Sequence, residues 1–126
     1  MQAKIGATNA AAFDISAACS GFIYGLTLAD NLIRTGAGKH ILVIGSEVLS
    51  RITDWEDRTT CVLFGDGAGA AVLGPGEGPT LLSTYIKSDG RLGDLLYMPA
   101  GGSAMPATHE TVDQRLHCIR MAGRDV

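Results

Sequence analysis

The sequence predicts an α/β fold in which a mixed, mostly parallel sheet packs against a buried helix. Residues 12–17 alternate apolar and polar side chains, which is the period of a strand with one buried face. Residues 20–35 repeat apolar side chains at helical spacing, and residues 40–45 form an apolar run typical of a strand buried on both faces. Because strand, helix and strand follow at the spacing of a βαβ crossover, we expect the two strands to be parallel in one sheet.

Length and composition describe one globular domain. The 126 residues are 46% hydrophobic and 18% charged, enough for a core of moderate size. No internal repeat or linker interrupts the sequence, so we expect a single domain over residues 1–126. The net charge of −3, without any basic run, argues against nucleic acid as a partner.

The cysteines and the apolar segments indicate the cellular compartment in which the protein is expected to reside. Three cysteines are an odd number, and their spacing is neither paired nor zinc-like, so we expect free thiols in a reducing environment and no metal site. The N-terminus lacks a charged region followed by an apolar core, and no apolar run approaches the ~20 residues that span a bilayer. These features predict a cytoplasmic protein without a membrane partner.

Cys19 lies where the first predicted strand runs into the helix, among the small residues 17–21. A helix N-terminus carries unpaired N–H groups and about half a positive charge, which stabilise a thiolate and an oxyanion formed on an attacked carbonyl. Cys19 is therefore a candidate nucleophile. The alternative is a small buried hydrophobe, a common fate of free cysteine, and spacing alone does not separate the two interpretations.

The glycine-rich residues 65–69 invite comparison with a phosphate-binding loop. Asp66 would repel a phosphate, no amphipathic helix follows, and residues 70–73 have the pattern of a strand. We therefore expect a tight turn, whose lack of side chains lets the backbone pass close to the helix that follows Cys19.

The remaining segments are predicted more coarsely. Residues 46–60 are polar and mixed, and we expect a loop with room for a helical turn, in which Trp55 partly covers the core. The other expectations are a turn at 74–79, an antiparallel edge strand at 80–87, an irregular insert at 88–108, a short strand around 117–121, and the start of a helix at 122–126. His40, His109 and His117 are expected to be structural or exposed.

Two motifs together resemble β-ketoacyl-acyl-carrier-protein synthase III, within the thiolase superfamily. The first, at residues 14–22, reads Asp-x-x-x-x-Cys-Ser-Gly-Phe, and the second, at residues 63–73, reads Leu-Phe-Gly-Asp-Gly-Ala-Gly-Ala-Ala-Val-Leu. The resemblance extends over nearly the whole chain, including residues 57–59 and 121–123. It implies that residues 1–126 are a single partial thiolase-like domain, the central portion of a fold that is incomplete relative to the family.

The resemblance also implies an activity. Cys19 would accept an acyl group from acyl-CoA as a thioester, for the decarboxylative Claisen condensation with malonyl-acyl carrier protein that starts fatty-acid chains. Arg58 and Gly123 would bind coenzyme A, with Arg58 on its adenine nucleotide, and Leu63 and Phe64 would lie beside the acyl pocket. Acyl-CoA would be a substrate, with no bound cofactor; acyl carrier protein and a second copy in a homodimer would be partners.

Other interpretations stay open at this point. The histidine and asparagine with which the family stabilises the condensation step match no residue of this chain, and His40, His109 and His117 do not replace that histidine. Another thiolase-fold condensing enzyme, similar to hydroxymethylglutaryl-CoA synthase or to a polyketide synthase, is one alternative. A catalytically inert fragment is the other.

Overall fold

The computed structural model describes residues 1–78 and 80–126, and these residues divide into two units. Unit 1 comprises Met1–Gly45 and Ala70–Ile86, and unit 2 comprises Ser46–Gly69 and Lys87–Val126. The expectation of a single partial domain over residues 1–126 stays a prediction.

The described residues form short helices and strands in two small sheets. β1 and β2 form one two-stranded sheet, and β3 and β4 form the other. The strands are β1 (Ile41–Val48), β2 (Asp66–Leu73), β3 (Leu96–Tyr97) and β4 (Arg120–Met121); the α-helices are α1 (Gly21–Arg34) and α2 (His109–Asp113); 3-10 helices span Gln2–Ile5, Ala18–Ser20, Leu49–Arg51 and Gly90–Leu95. None of the helices in the described residues is long and apolar enough to cross a membrane.

Helix α1 confirms the helix predicted over residues 20–35. Its exposed side is supported by an ion pair one turn apart, in which Arg34 Nε lies 2.7 Å from Asp30 Oδ2. The helix ends where Gly36 adopts φ +75°, a left-handed conformation that glycine takes at little cost, and the Gly36 N–H donates to the Ile33 carbonyl.

Helix α1 packs against β1 at a glycine. A Cβ atom added at Gly25 would lie 2.7 Å from Val43 Cγ1, so no larger residue fits without displacing that side chain. Ala29, one turn later on α1, is 1% exposed. The small residues on this helix face therefore allow the close approach of helix and strand.

The fit at Gly25 leads to a stability prediction. We expect Gly25→Ala to lower the free energy of unfolding by about 1–3 kcal/mol relative to Gly21→Ala, because the new methyl group overpacks against Val43. Gly21 is the matched control, since it lies on the same helix and a Cβ there would meet nothing within 4 Å. Denaturant unfolding of the two variants measures the difference, and equal midpoints would contradict the packing described.

The prediction that β1 is buried on both faces is wrong for this chain. Its side chains alternate between half-buried and exposed, and Leu42 and Ile44 are each 41% exposed. Helix α1 is likewise covered on one side only, since Ile23 and Leu28 are 44% and 42% exposed. The described residues cover only one face of β1. An apolar run indicates that a segment suits a buried environment, but it does not show that both faces are covered.

Two predicted strands are not formed. Residues 12–17 have no strand, Phe13 is 67% exposed, and residues 12–16 make no main-chain hydrogen bond with other described residues. Residues 80–87 have no strand either, and Leu82 is 88% exposed. A strand needs a neighbour to pair its N–H and C=O groups, and alternation of side chains does not supply one. The predicted βαβ crossover is therefore absent from the described residues.

The glycine-rich segment is a strand rather than the predicted turn. Strand β2 begins at Asp66 and includes the predicted strand at residues 70–73. The Asp66 carboxylate accepts hydrogen bonds from Ser50 N and Ser50 Oγ at 2.8 and 2.7 Å. A Cβ at Gly67 would lie 2.8 Å from Glu47 Oε1, so the close approach predicted for these glycines occurs at Glu47. Asp66 therefore has a structural role, and the segment is not a phosphate loop.

The Asp66 contacts predict a dependence of stability on pH. The backbone N–H of Ser50, and then its hydroxyl, lower the pKa of Asp66 from its usual value of 3.8. Because the folded-state pKa is the lower one, the stability from this carboxylate is complete above about pH 4 and is lost as the pH falls through the folded-state pKa. We expect Asp66→Asn to be less stable than the parent at neutral pH, and this difference to shrink at an acid pH below the folded-state pKa of Asp66. Urea unfolding at both pH values measures it; a difference that is independent of pH would contradict the assignment.

Unit 2 is held together around its C-terminal segment. Strands β3 and β4 are antiparallel, with Leu96 opposite Met121 and Tyr97 opposite Arg120. The Ile119 N–H donates to the Ile52 carbonyl at 2.8 Å, which joins this segment to the first part of the unit. The most buried residues of unit 2 are Thr53, Asp54, Thr60, Ala100, Cys118 and Ile119.

Predictions for unit 2 were partly correct. The short strand expected around 117–121 is confirmed at Arg120–Met121, but residues 123–125 form a turn and no helix begins there. Within the segment 46–60, β1 continues to Val48, and a 3-10 helix follows it. Trp55 is 64% exposed and therefore does not cover the core. In the irregular segment 88–108, short pieces of 3-10 helix and strand replace part of the expected loop.

Helix α2 was not predicted, although the sequence carries a weak signal for it. Thr108 Oγ1 accepts from the Thr111 N–H at 3.2 Å, and Thr111 Oγ1 accepts from the Thr108 N–H at 2.9 Å. This reciprocal arrangement is a capping box, which usually has glutamate or glutamine at the second position. The threonine at residue 111 makes the same contact but weakens the sequence signature.

Candidate active site

Cys19 is exposed and lies in the 3-10 helix Ala18–Ser20, which continues directly into α1. The Ser20 N–H donates to the Ala17 carbonyl at 3.1 Å, so the helical hydrogen bonds begin immediately around the thiol. The thiol is therefore accessible where the helical segment begins, although the strand expected before it is not formed.

The turn before Cys19 has an unusual backbone. Ala18 adopts φ +45°, in the left-handed region that is unfavourable for a residue with a Cβ atom, by roughly 1–2 kcal/mol. Residues in such conformations occur often at active sites, where the surrounding structure enforces them. The sequence carries no signal for this feature, because alanine has no preference for the left-handed region.

Arg58 lies in a turn that Asp57 organises within unit 2. Asp57 Oδ1 accepts hydrogen bonds from Thr59 N and Thr59 Oγ1 at 2.9 and 2.6 Å, and Asp57 Oδ2 accepts one from Thr60 Oγ1 at 2.8 Å. These contacts, led by the Thr59 hydroxyl, lower the pKa of Asp57. The Arg58 side chain is exposed and has no hydrogen bond or ion pair in the described part of the chain. Its guanidinium is therefore free to bind an anionic or aromatic group.

Leu63 and Phe64 follow on the same segment. The Leu63 N–H donates to the Thr60 carbonyl at 2.9 Å; the Leu63 side chain is 62% exposed, and Phe64 is half-buried. Gly123 lies in the turn that follows β4, and a Cβ there would be 3.4 Å from Met121 Cε. The predicted roles of these three residues stay predictions.

The predicted site residues are distributed over both units. Cys19 belongs to unit 1, whereas Arg58, Leu63, Phe64 and Gly123 belong to unit 2. Unit 1 also contains a half-open groove of about 500 Å³ between α1, β2 and the chain that follows β2. Leu26, Ile33 and Leu81 contribute to its lining, but none of the predicted site residues does.

The other cysteines differ from Cys19. Cys61 is half-buried and Cys118 is 4% exposed, and all three are free thiols. Burial raises the pKa of the Cys118 thiol, which disfavours the nucleophilic thiolate. Exposure therefore distinguishes Cys19 among the three.

The three histidines differ in their exposure. His40 and His109 are exposed, and His117 is half-buried, with no partner for its Nδ1 atom among the described residues. Within those residues, no three His, Cys, Asp or Glu side chains are grouped so that they could hold a metal ion.

A charged cluster in unit 2 has no counterpart in the sequence-based predictions. Asp54 is 8% exposed, and Arg115 Nη1 lies 3.1 Å from its Oδ1 atom. Arg115 also pairs with Glu56, and this contact lowers the pKa of Glu56 and raises that of Arg115. Asp54 and Arg115 are 61 positions apart in the chain. No local pattern predicts a contact of this kind.

Comparison with known proteins identifies the family. A family profile described as 3-oxoacyl-[acyl-carrier-protein (ACP)] synthase III matches residues 13–90, which include Cys19, Arg58, Leu63 and Phe64. The chain belongs to this family. It is 60% identical, over 127 residues, to the β-ketoacyl-[acyl-carrier-protein] synthase III of Caldanaerobacter subterraneus subsp. tengcongensis, and the match covers 100% of this chain and 38% of that protein.

Solved structures agree with the sequence relatives. The 3-oxoacyl-[acyl-carrier-protein] synthase III of Aquifex aeolicus VF5 superimposes with a TM-score of 0.79 at 47% identity, over 98% of this chain and 36% of that one. The priming β-ketosynthase of the R1128 polyketide biosynthetic pathway superimposes with a TM-score of 0.80 at 34% identity, over 98% of this chain and 36% of that one. The chain therefore has an α/β, thiolase-like fold, and it spans 38% of the length of the curated relative named above.

Proposed function

We propose that this chain carries the acyl-accepting step of a β-ketoacyl-acyl-carrier-protein synthase III, in which Cys19 takes the acyl group of acyl-CoA as a thioester. The observation that carries the proposal is an exposed thiol at the start of α1, within the segment that the family profile matches. Acyl-CoA is the substrate, and the step needs no bound cofactor.

The chemistry of the step follows from this position. The Cys19 thiolate attacks the thioester carbonyl, a new C–S bond forms, and negative charge develops on the carbonyl oxygen. The partial positive charge at the start of the helix favours both the thiolate and the oxyanion. The bond from the acyl carbon to the sulfur of coenzyme A then breaks, and the released thiolate takes up a proton. Atoms and charge balance without an oxidant or a reductant.

Arg58 is proposed to bind the nucleotide end of coenzyme A. Its exposed guanidinium can pair with a phosphate through two parallel hydrogen bonds or stack on the adenine ring. The Asp57 contacts hold the turn, so the arginine loses less conformational freedom when a ligand binds. Gly123 is proposed to lie beside the same ligand, where a side chain would obstruct it.

Leu63 and Phe64 are proposed to contribute to the acyl pocket. An exposed aliphatic side chain beside a half-buried aromatic ring offers apolar surface to an acyl chain. The length of acyl chain accepted would then depend on the side chain at residue 64.

The complete reaction is proposed on the basis of the relatives. Condensation of the Cys19 acyl group with malonyl-acyl carrier protein makes acyl carrier protein a partner, and the reaction requires enolate-stabilising donors that none of the three histidines provides. A homodimer and a cytoplasmic location are proposed with it. Three free thiols are consistent with a reducing compartment.

The test is a stoichiometric assay of thiol release from acetyl-CoA. We expect one equivalent of free coenzyme A per folded chain in a single phase, because acylation consumes the nucleophile and the acyl group stays on the protein. Circular dichroism shows beforehand that the sample is folded. A folded sample that releases no coenzyme A would contradict the proposal and would favour the catalytically inert alternative.

A priming function in polyketide synthesis is the second candidate. It rests on the similarity to the R1128 priming ketosynthase, whose TM-score of 0.80 is about the same as the 0.79 of the Aquifex aeolicus enzyme. The same assay with acyl-CoA substrates of increasing chain length distinguishes the two, since a preference for acetyl-CoA supports fatty-acid initiation and a preference for longer starters supports the polyketide function.

A further inference from the structure

The turn that carries Arg58 is tethered to the C-terminal segment through one carboxylate. Asp54 is 8% exposed, and Arg115 Nη1 donates to its Oδ1 atom at 3.1 Å. Arg120 Nη1 lies 3.9 Å from Asp54 Oδ2. A carboxylate withdrawn from water in this way is stable only when it is paired and hydrogen-bonded, and here two arginines provide the pairing.

The same residue also shapes the turn from within. Asp54 Oδ1 accepts from the Glu56 N–H at 3.1 Å, and the Asp54 carbonyl accepts from the Asp57 N–H at 3.1 Å. Asp57 in turn fixes Thr59 through its carboxylate. An uninterrupted series of hydrogen bonds therefore leads from Asp54 to the residues on both sides of Arg58.

The partner of Asp54 is held in an unfavourable conformation. Arg115 adopts φ +55°, and its carbonyl accepts from the Cys118 N–H at 3.2 Å. Non-glycine residues keep such a backbone conformation only where the surrounding contacts enforce it. Arg115 bridges Asp54 and Glu56, so the enforced conformation and the tether occur at the same residue.

We propose that Asp54 is a positioning residue, which holds the turn at residues 54–60 so that Arg58 presents its guanidinium to the nucleotide of acyl-CoA. The inference rests on the proposed function of Arg58. Asp54 does not itself contact the ligand in this scheme. Its negative charge does not oppose a phosphate strongly, because Arg115 and Arg120 compensate it.

Two readouts test the proposal in Asp54→Asn. The first is the rate of trypsin cleavage after Arg58, relative to cleavage after Arg34 in unit 1; we expect roughly a tenfold increase, because cleavage reports local opening of the turn. The second is calorimetric binding of coenzyme A, which we expect to weaken by about 5–30-fold. Asp113→Asn is the matched control, since Asp113 is exposed and forms no ion pair with another described residue.

A double-mutant cycle shows whether Asp54 acts through Arg58. In an Arg58→Ala background, Asp54→Asn should change coenzyme A binding by less than about twofold, because the group that it positions is gone. Arg115→Lys keeps the charge but loses the two-partner geometry, so it should raise cleavage in the same direction by a smaller factor. If Asp54→Asn does not fold, Arg115→Lys tests whether the contact between Asp54 and Arg115 holds the turn.

Three outcomes would overturn the inference. Unchanged cleavage after Arg58 would show that Asp54 does not hold the turn, whatever happens to ligand binding. Equal weakening of coenzyme A binding with and without Arg58 would show a general structural effect. If cleavage rises but Arg58→Ala leaves binding unchanged, the proposed role of Arg58 fails, and with it the ligand assigned to the turn, although the tether itself would be supported.

Discussion

Replacing Cys19 with alanine should abolish the release of coenzyme A from acetyl-CoA. The variant lacks the one thiol that is classed as exposed among the described residues, so no thioester can form there. Removing the nucleophile of an enzyme that acts through a covalent intermediate lowers its rate on the order of 10⁶-fold, which here means the uncatalysed background. The substitution is small and lies at an exposed position, so the fold should be retained.

Cys61→Ala is the control for this result. Cys61 is a free thiol in the same chain, but it is half-buried and does not begin a helix. We expect its loss to leave the amount of released coenzyme A unchanged. Two results would contradict the role of Cys19 as the nucleophile. One is full release of coenzyme A by Cys19→Ala, and the other is loss of release in a folded Cys61→Ala variant.

Replacing Arg58 with alanine should weaken the use of acyl-CoA without altering the chemical step. We expect the half-saturating concentration of acetyl-CoA to rise roughly 10- to 100-fold, the value of one or two hydrogen bonds to a charged group. The maximal rate of acylation should change little, because the nucleotide end takes no part in bond formation and its contacts are equal in ground and transition states. The acylation rate as a function of acetyl-CoA concentration separates the two parameters.

Arg91→Ala is the control for charge at Arg58. Arg91 is also an exposed arginine of unit 2, but it pairs with Asp89, two residues before it. Its removal changes the net charge equally and should leave the half-saturating concentration as it was. A fall in the maximal rate of Arg58→Ala at unchanged half-saturation would place Arg58 near the reacting atoms, against the role proposed for it.

Local sequence patterns predicted α1 and the core of β1. The periodicity of residues 20–35 and the glycine at residue 36 were sufficient for α1, and the apolar run was sufficient for the core of β1. The strands expected at 12–17 and 80–87 failed because alternation describes a face and does not specify the neighbour with which a strand pairs. The glycines at 67 and 69 suggested a turn, although they lie in β2.

In the candidate site, too, some features could be predicted from the sequence and others could not. Cys19 could be located from the junction of strand-like and helical patterns, and its motif indicated the family that the comparisons confirm. The left-handed backbone of Ala18 and the ion pair from Asp54 to Arg115 could not be located, since the first depends on the surrounding fold and the second on residues distant in sequence. Arg58 was identified by resemblance, but what holds its turn was visible only in the structure.

The position of the acyl group after incubation with acetyl-CoA tests the role of Cys19 most directly. Tryptic digestion places the three thiols on different peptides, and tandem mass spectrometry then identifies the modified residue. We expect the acyl group on Cys19 alone, because Cys61 is half-buried and burial raises the pKa of Cys118. An acyl group on Cys61 or Cys118, or on no cysteine of a folded sample, would contradict the assignment of Cys19 as the nucleophile.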